Sequence, residues 1–373
     1  MVEFVDEWDY LIHLIKCAIH NEQPRELPAS LDFARVYEWG VRHHVANIAF
    51  YSVEKLVTKP EDRLFARWQI LCDQAVVRDI NQSIAADEIR DAFRSSGIRL
   101  LEVQGTKIKP LYPQPDYRTM SDIDFIIDLD KLPKAKEILE ALGYDCEVIH
   151  DAEVNAFRPP NINIELHTQY FSDDTAYYGV MRPPFSSIEE KGTYDINEFY
   201  LYNIIHIAKH YYLGGCGIRR VLDVYYLNKF FSGEIDQDYI HSFLRKLKLS
   251  ELASELNNLA ESWFVKGEAA IPRSDVADYI LGSGLHGSRK NEINNRVKRH
   301  LRSASRAAKM QYFIRRITGS GGNMYRTYPI LKRYKFLYPF CWLHRAFRAL
   351  KPTKQKLLWK EVSAVMNTKD TKG

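Results

Sequence analysis

The chain has 373 residues, enough for two or three packed units, and its 46% hydrophobic and 27% charged content is ordinary for a globular protein. The net charge of +4 hides an asymmetry: from about Arg289 to Lys360 lysine and arginine greatly outnumber acids, and the rest is correspondingly acidic. Five cysteines without C-x-x-C spacing argue against a zinc site or disulfide framework and fit a reducing cytoplasm; no signal peptide and no spanning helix are expected.

Residues 1–95 read as a helical bundle. Trp8, Leu11, Ile12, Leu14, Ile15 and Ala18 form a helix-period stripe that Pro24 and Pro28 interrupt. A second helix starts over Leu31–Trp39, and a third covers Val45–Leu56. His43 and His44, in the turn between them, read as surface or capping residues rather than metal ligands. Glu61–Phe93 is a long amphipathic helix that Gly97 ends.

Residues 96–190 read as the core. Ile98–Val103 is an expected strand, followed by Gln104-Gly105-Thr106. Asp122-Ile123-Asp124 runs into Phe125-Ile126-Ile127, a buried strand. Leu132–Leu142 is a helix stopped by Gly143, Tyr144–Ile149 a strand, Phe157–Pro160 a turn, and Asn161–His167 an alternating strand. Strand, strand, helix, strand, strand predicts an α+β unit with helices packed on a mixed sheet.

Residues 191–287 turn helical again, through Phe199–Lys229 with a glycine-rich break, then one amphipathic helix over Leu244–Phe264. Arg219 and Asp223, at i and i+4, are placed to pair. Gly282–Gly287 is rich in glycine but lacks the lysine of a P-loop, so it reads as a flexible turn. Residues 288–373 form a basic, aromatic tail. Three roles suit it: wrapping the acidic body, lying on an anionic membrane surface, or contacting nucleic acid.

Strand side chains alternate, so Asp122 and Asp124 project to one side while Ile123 points to the other. Two buried neighbouring carboxylates repel each other, and a divalent cation relieves both repulsion and desolvation. Magnesium combines one or two carboxylates with substrate phosphates, which suggests a polyphosphate substrate. On the later strand Asn163, Glu165 and His167 share a face. If that strand lies beside the first, Glu165 becomes the third carboxylate of one cluster.

This ordering resembles the polymerase-beta-like nucleotidyltransferase superfamily, and more closely a bacterial family of uncharacterised nucleotidyltransferases. The resemblance rests on Gly105, Leu111-Tyr112-Pro113-Gln114-Pro115, Arg118, Ser121-Asp122-Ile123-Asp124 and Ile164-Glu165-Leu166-His167. His210, Arg219 and Asp223, then Tyr279-Ile280-Leu281, Tyr338-Pro339 and Arg345, extend it from about Leu100 onward. Family members often carry lysine where this chain has Gln104. The resemblance implies transfer of a nucleoside monophosphate from an NTP to an unidentified acceptor, with pyrophosphate released. Its implied metal ligands and catalytic groups are Asp122, Asp124 and Glu165, holding two Mg2+ ions, with Mn2+ as a substitute. Its implied nucleotide contacts are Gly105, Thr106, Lys107, Arg118, Ser121, His210 and Arg219. A binding or regulatory module that keeps the fold without the activity is the alternative.

Overall fold

The computed structural model describes residues 6–149, 152–173, 175–267, 272–285, 287, 291, 292, 295, 324, 328 and 330–349. The chain forms two compact units, one of residues 1–209 with 216–285, the other of residues 210–215 with those from 286 onward.

The first unit begins with helices α1 (Glu7–His20), α2 (Phe33–Arg42), α3 (Ala46–Val53) and the 34-residue α4 (Asp62–Ser95). Their ends follow from local chemistry. Asp6 accepts the N–H groups of Trp8 and Asp9 to cap α1, and Asp32 accepts that of Ala34 to cap α2. Gly97 takes φ 67° after α4, the left-handed stop expected of it.

The sheet contains β1 (Leu100–Glu102), β2 (Ile123–Ile127), β3 (Asp145–Ile149), β4 (Glu153–Arg158) and β5 (Ile162–His167), in spatial order β1-β2-β5-β4-β3. Only β2 and β5 pair in parallel; the other pairings are antiparallel. The fold is therefore α+β with a mixed sheet, as the sequence predicts. β4 is a correction. Phe157 and Arg158, expected in a turn, end this strand, and the turn falls at Pro159–Asn161.

One face of the sheet carries Ile123, Phe125 and Ile127 from β2, Val154 and Ala156 from β4, and Ile162, Ile164 and Leu166 from β5. They pack against Ala85, Ala86, Ile89 and Phe93 of α4 and Leu132, Ala135 and Leu139 of α6 (Leu132–Ala141). Each fully buried aliphatic or aromatic side chain contributes about 1.5–3 kcal/mol. A one-residue slip would turn this set outward, so the apolar face fixes the register. It thereby commits Asp124, Glu165 and His167 to the opposite face.

Between β1 and β2 lie α5 (Gln104–Ile108) and 3-10 turns over Lys109–Leu111 and Pro115–Tyr117. After the sheet come α7 (Ser186–Lys191), α8 (Ile196–Leu213), α9 (Ile218–Phe231), α10 (Gln237–Lys246), α11 (Ser250–Phe264) and α12 (Asp275–Ser283). The single helix expected over Leu244–Phe264 is two, parted where Lys248 takes φ 58°. Gly282 and Ser283, expected in a turn, complete α12, and Gly284 with φ 72° follows it.

In the second unit, α13 (Ile330–Arg333) and a 3-10 turn lead into α14 (Tyr338–Ala349), and the Tyr328 hydroxyl meets His344 Nδ1 at 2.9 Å. Most of the basic tail lies outside the described residues. Among the described residues no helix is long and apolar enough to cross a membrane.

Candidate functional site

The parallel pairing of β2 and β5 sets Asp124 directly opposite Glu165, and β4 sets Asn155 opposite Glu165 on the other side. His167, two residues on, faces Ile126 and Glu153. Asp122 stands one residue before β2, and Ser121, which is exposed, accepts the Asn163 amide at its carbonyl, 3.3 Å away.

Ligand atoms of Asp124, Glu165 and His167 lie within 4.8 Å of one another. His167 Nε2 is 3.2 Å from Asp124 Oδ1 and 3.5 Å from Glu165 Oε2, and its Nδ1 is 3.5 Å from Glu153 Oε2. Burial pulls the imidazole pKa down, but hydrogen bonds to Asp124, Glu153 and Glu165 outweigh it and hold the pKa well above the ordinary value. Asp122 is outside this close set, yet it feels it. Burial, then the charges of Asp124 and Glu165, push its carboxyl up to about 7, against the lowering pull of Arg220 and Arg219. These are crowded carboxylates in need of positive charge.

The donor set suits a divalent cation. Carboxylate oxygens match magnesium and manganese, while His167, whose proton these carboxylates hold, could join as a ligand only on losing it. A further observation bears on the fit: Asn155 Oδ1, across from Glu165, is a buried acceptor without a partner among the described residues. Asn155 and His167 join the acidic residues that the sequence points to. His167 was visible as sharing a face with Glu165, whereas Asn155 depends on β4.

A network fixes the loop that delivers Asp122. Arg118 is fully buried and donates from Nε and Nη2 to the two oxygens of Asp223, at 2.7 and 3.0 Å. Tyr112 donates to the same carboxylate at 2.7 Å. The Thr119 carbonyl accepts both Arg118 Nη1, at 2.9 Å, and Arg219 Nη1, at 2.6 Å. The expected Arg219–Asp223 pair is therefore replaced: Asp223 bonds Arg118, and Arg219 reaches the loop instead. The helical bundle joins in. Asn47 donates to Asp116 O at 2.7 Å, Tyr51 to Asp116 Oδ2 at 2.9 Å, and Gln82 to Met120 O at 3.2 Å, while Asp79 pairs with Lys109.

At the β1–α5 turn, Gln104 takes φ 51°, a conformation that strains a residue with a side chain. Gly105 serves packing: a Cβ there would sit 2.6 Å from Met120 Sδ. Thr106 Oγ1 is buried without a partner among the described residues, and Lys107 is exposed. α5 touches both β2 and α9. His210, in the last turn of α8, belongs to the second unit.

No curated protein and no solved structure matches the chain. A family profile does, over residues 29–265, from the N-terminal helices through the sheet and α11. Its span starts earlier than the resemblance in sequence and stops before Tyr279, Tyr338 and Arg345. With its crowded acidic face on two adjoining strands inside that span, the chain belongs to the uncharacterised nucleotidyltransferase family.

Proposed function

We propose that the protein transfers a nucleoside monophosphate from an NTP to a hydroxyl- or phosphate-bearing acceptor, in a metal-dependent reaction that releases pyrophosphate. The observation carrying this reading is the register Asp124↔Glu165 on parallel strands, with Asp122 two residues before Asp124 and its carboxyl raised by the charges of both. Asp122, Asp124 and Glu165 would hold the divalent cations, with His167 at their edge. When bound, such ions neutralise phosphate charge and lower the pKa of an acceptor hydroxyl. Glu165, half-buried, takes the proton as the acceptor oxygen bonds to the α-phosphorus. The bond from that phosphorus to the bridging oxygen breaks, and its electron pair leaves with pyrophosphate. Thr106 offers a hydroxyl to phosphate, beside the turn at Gly105. Lys107 and Ser121, both exposed, remain open to the nucleotide.

Arg118 and Arg219 already spend donors within the protein. Their donors to Asp223 and Thr119 make them positioning residues for the Asp122 loop.

A second reading, a nucleotide-binding module without turnover, draws on His167, whose imidazole lies against both Asp124 and Glu165. One experiment separates the two. Pyrophosphate release is measured with magnesium or manganese and a panel of NTPs, for the native protein and for Asp122→Asn and Asp124→Asn. The proposal expects metal-dependent release that falls at least 100-fold in either variant, order of magnitude as for loss of a metal ligand. Nucleotide binding without release would favour the module, and unchanged release in the variants would move the site elsewhere.

A further inference from the structure

The segment from Ile330 to Ala349 lies beyond the matched family span, and no step proposed above uses it. Its composition is one-sided. Between Glu292 and Glu361 the chain holds no aspartate or glutamate, while the segment itself carries Lys332, Arg333, Lys335, Arg345 and Arg348. Large apolar and aromatic residues alternate with these bases.

The fold sorts those residues. Leu331, in α13, is fully buried, and the bond between the Tyr328 hydroxyl and His344 ties α14 to the chain before α13. Pro339 stands in the first turn of α14, where the missing N–H of proline costs no helical bond. Phe336, Phe340 and Leu343, in contrast, are left outside, at 71%, 66% and 47% exposure. Their spacing of four residues and then three puts them along one side, running from the 3-10 turn into α14. The half-exposed Tyr334 ring lies 6.0 Å from that of Phe336 and lengthens the row. Arg333 and Lys335 are exposed at the same end, with the Arg333 guanidinium 5.4 Å from the Tyr334 ring.

Two properties identify what this row meets. Apolar rings held in water gain by leaving it, so the partner offers an apolar phase. A chain stretch with many bases and no acid selects an anionic partner. Nucleic acid is anionic, but it rewards rings that stack on bases, and Leu343 has none to offer. A lipid bilayer with acidic headgroups supplies both properties at once: acyl chains for the row and phosphates for the bases beside it. α14 has 12 residues, whereas crossing the hydrocarbon core takes about 20, so the helix lies in the plane of the interface.

We propose that α14 and the turn before it are a docking surface for an anionic membrane. Phe336, Phe340 and Leu343 enter the boundary between headgroups and acyl chains, and Arg333 and Lys335 meet lipid phosphates. This gives the transferase a membrane-surface partner and does not depend on the transfer chemistry.

The test is flotation of the full chain with vesicles, one set of phosphatidylcholine alone and one an equal mixture with phosphatidylserine. Native protein is expected to bind the mixed vesicles at least about 10-fold more tightly than the neutral ones and to leave them as salt rises. Phe336→Ser combined with Phe340→Ser should weaken binding to mixed vesicles at least about 10-fold, the return of two rings to water. The melting temperature of that variant should stay native, because both rings already face solvent. Arg333→Gln combined with Lys335→Gln should cost about 5-fold for each charge on mixed vesicles and little on neutral ones. Native protein that binds neither vesicle, or both equally, would overturn the proposal. So would either double variant binding mixed vesicles as native does, or a lower melting temperature in the first, which would show its rings to be packed. Binding of single-stranded RNA but not of vesicles, weakened by the same variants, would overturn it in favour of nucleic acid.

Discussion

Asp223 accepts three hydrogen bonds in a site closed to water, two from Arg118 and one from Tyr112. Removing its charge strands a buried guanidinium, and such losses cost about 3–5 kcal/mol. Asp223→Asn is expected to lose that much in urea denaturation. The double variant Arg118→Met with Asp223→Leu should be less damaged than the single one, because no charge is left unpaired. Gly105 makes a second case at this scale. Its missing Cβ leaves room for the Met120 thioether, so Gly105→Ala should cost about 1–3 kcal/mol by overpacking. Because Met120 lies two residues before Asp122, the same variant should lower turnover more than nucleotide affinity, measured as kcat against KM.

At the scale of elements, the site is a consequence of register. β2 and β5 bury Ile123, Phe125, Ile164 and Leu166 against α4 and α6, and that burial alone aims Asp124 and Glu165 the other way. This much was legible in sequence, because strict alternation survives wherever one face is apolar. β4 was not. Its buried residues are Val154 and Ala156, flanked by Glu153, Asn155 and Arg158, and so short a signal beside two prolines reads as a turn. Asn155 was lost with it. The Arg118–Asp223 pair was illegible for another reason. Arg219 offers Asp223 a partner one helical turn away, and only the docking of α9 on the Asp122 loop brings in Arg118, 105 residues distant. The break between α10 and α11 turns on the backbone of Lys248, a residue type that carries no stop signal.

At the scale of the molecule, the family span of residues 29–265 runs from α2 through the sheet to α11, and contacts join these parts. The bundle grips the Asp122 loop from one side through Asn47, Tyr51 and Gln82, and α9 grips it from the other. His43 ties these parts together: its Nε2 meets Leu281 O at 3.0 Å, and its Nδ1 accepts the Ile218 N–H at 3.2 Å. The Nδ1 bond needs the neutral ring, whereas the Nε2–H donation to Leu281 survives protonation. Burial lowers the His43 pKa to about 4, with the bond to Leu281 opposing and the charge of Arg42 assisting. The unfolded chain takes up this proton first, so the contribution is complete above about pH 6.5 and is lost as pH falls through about 4. The stability advantage of native protein over His43→Gln should shrink by up to about 3 kcal/mol between pH 7 and pH 4, read from paired denaturation curves.

The convergence of the acidic side chains on a cation is tested most directly by manganese titration, following the spin-resonance signal of the free ion with a non-hydrolysable NTP analogue present. The account predicts that native protein quenches the signal stoichiometrically and that Asp124→Asn binds manganese about 100-fold more weakly or worse, since disturbing even the groups that support a metal's ligands costs about 10- to 100-fold. Equal quenching by the two proteins, or none by either, would contradict it.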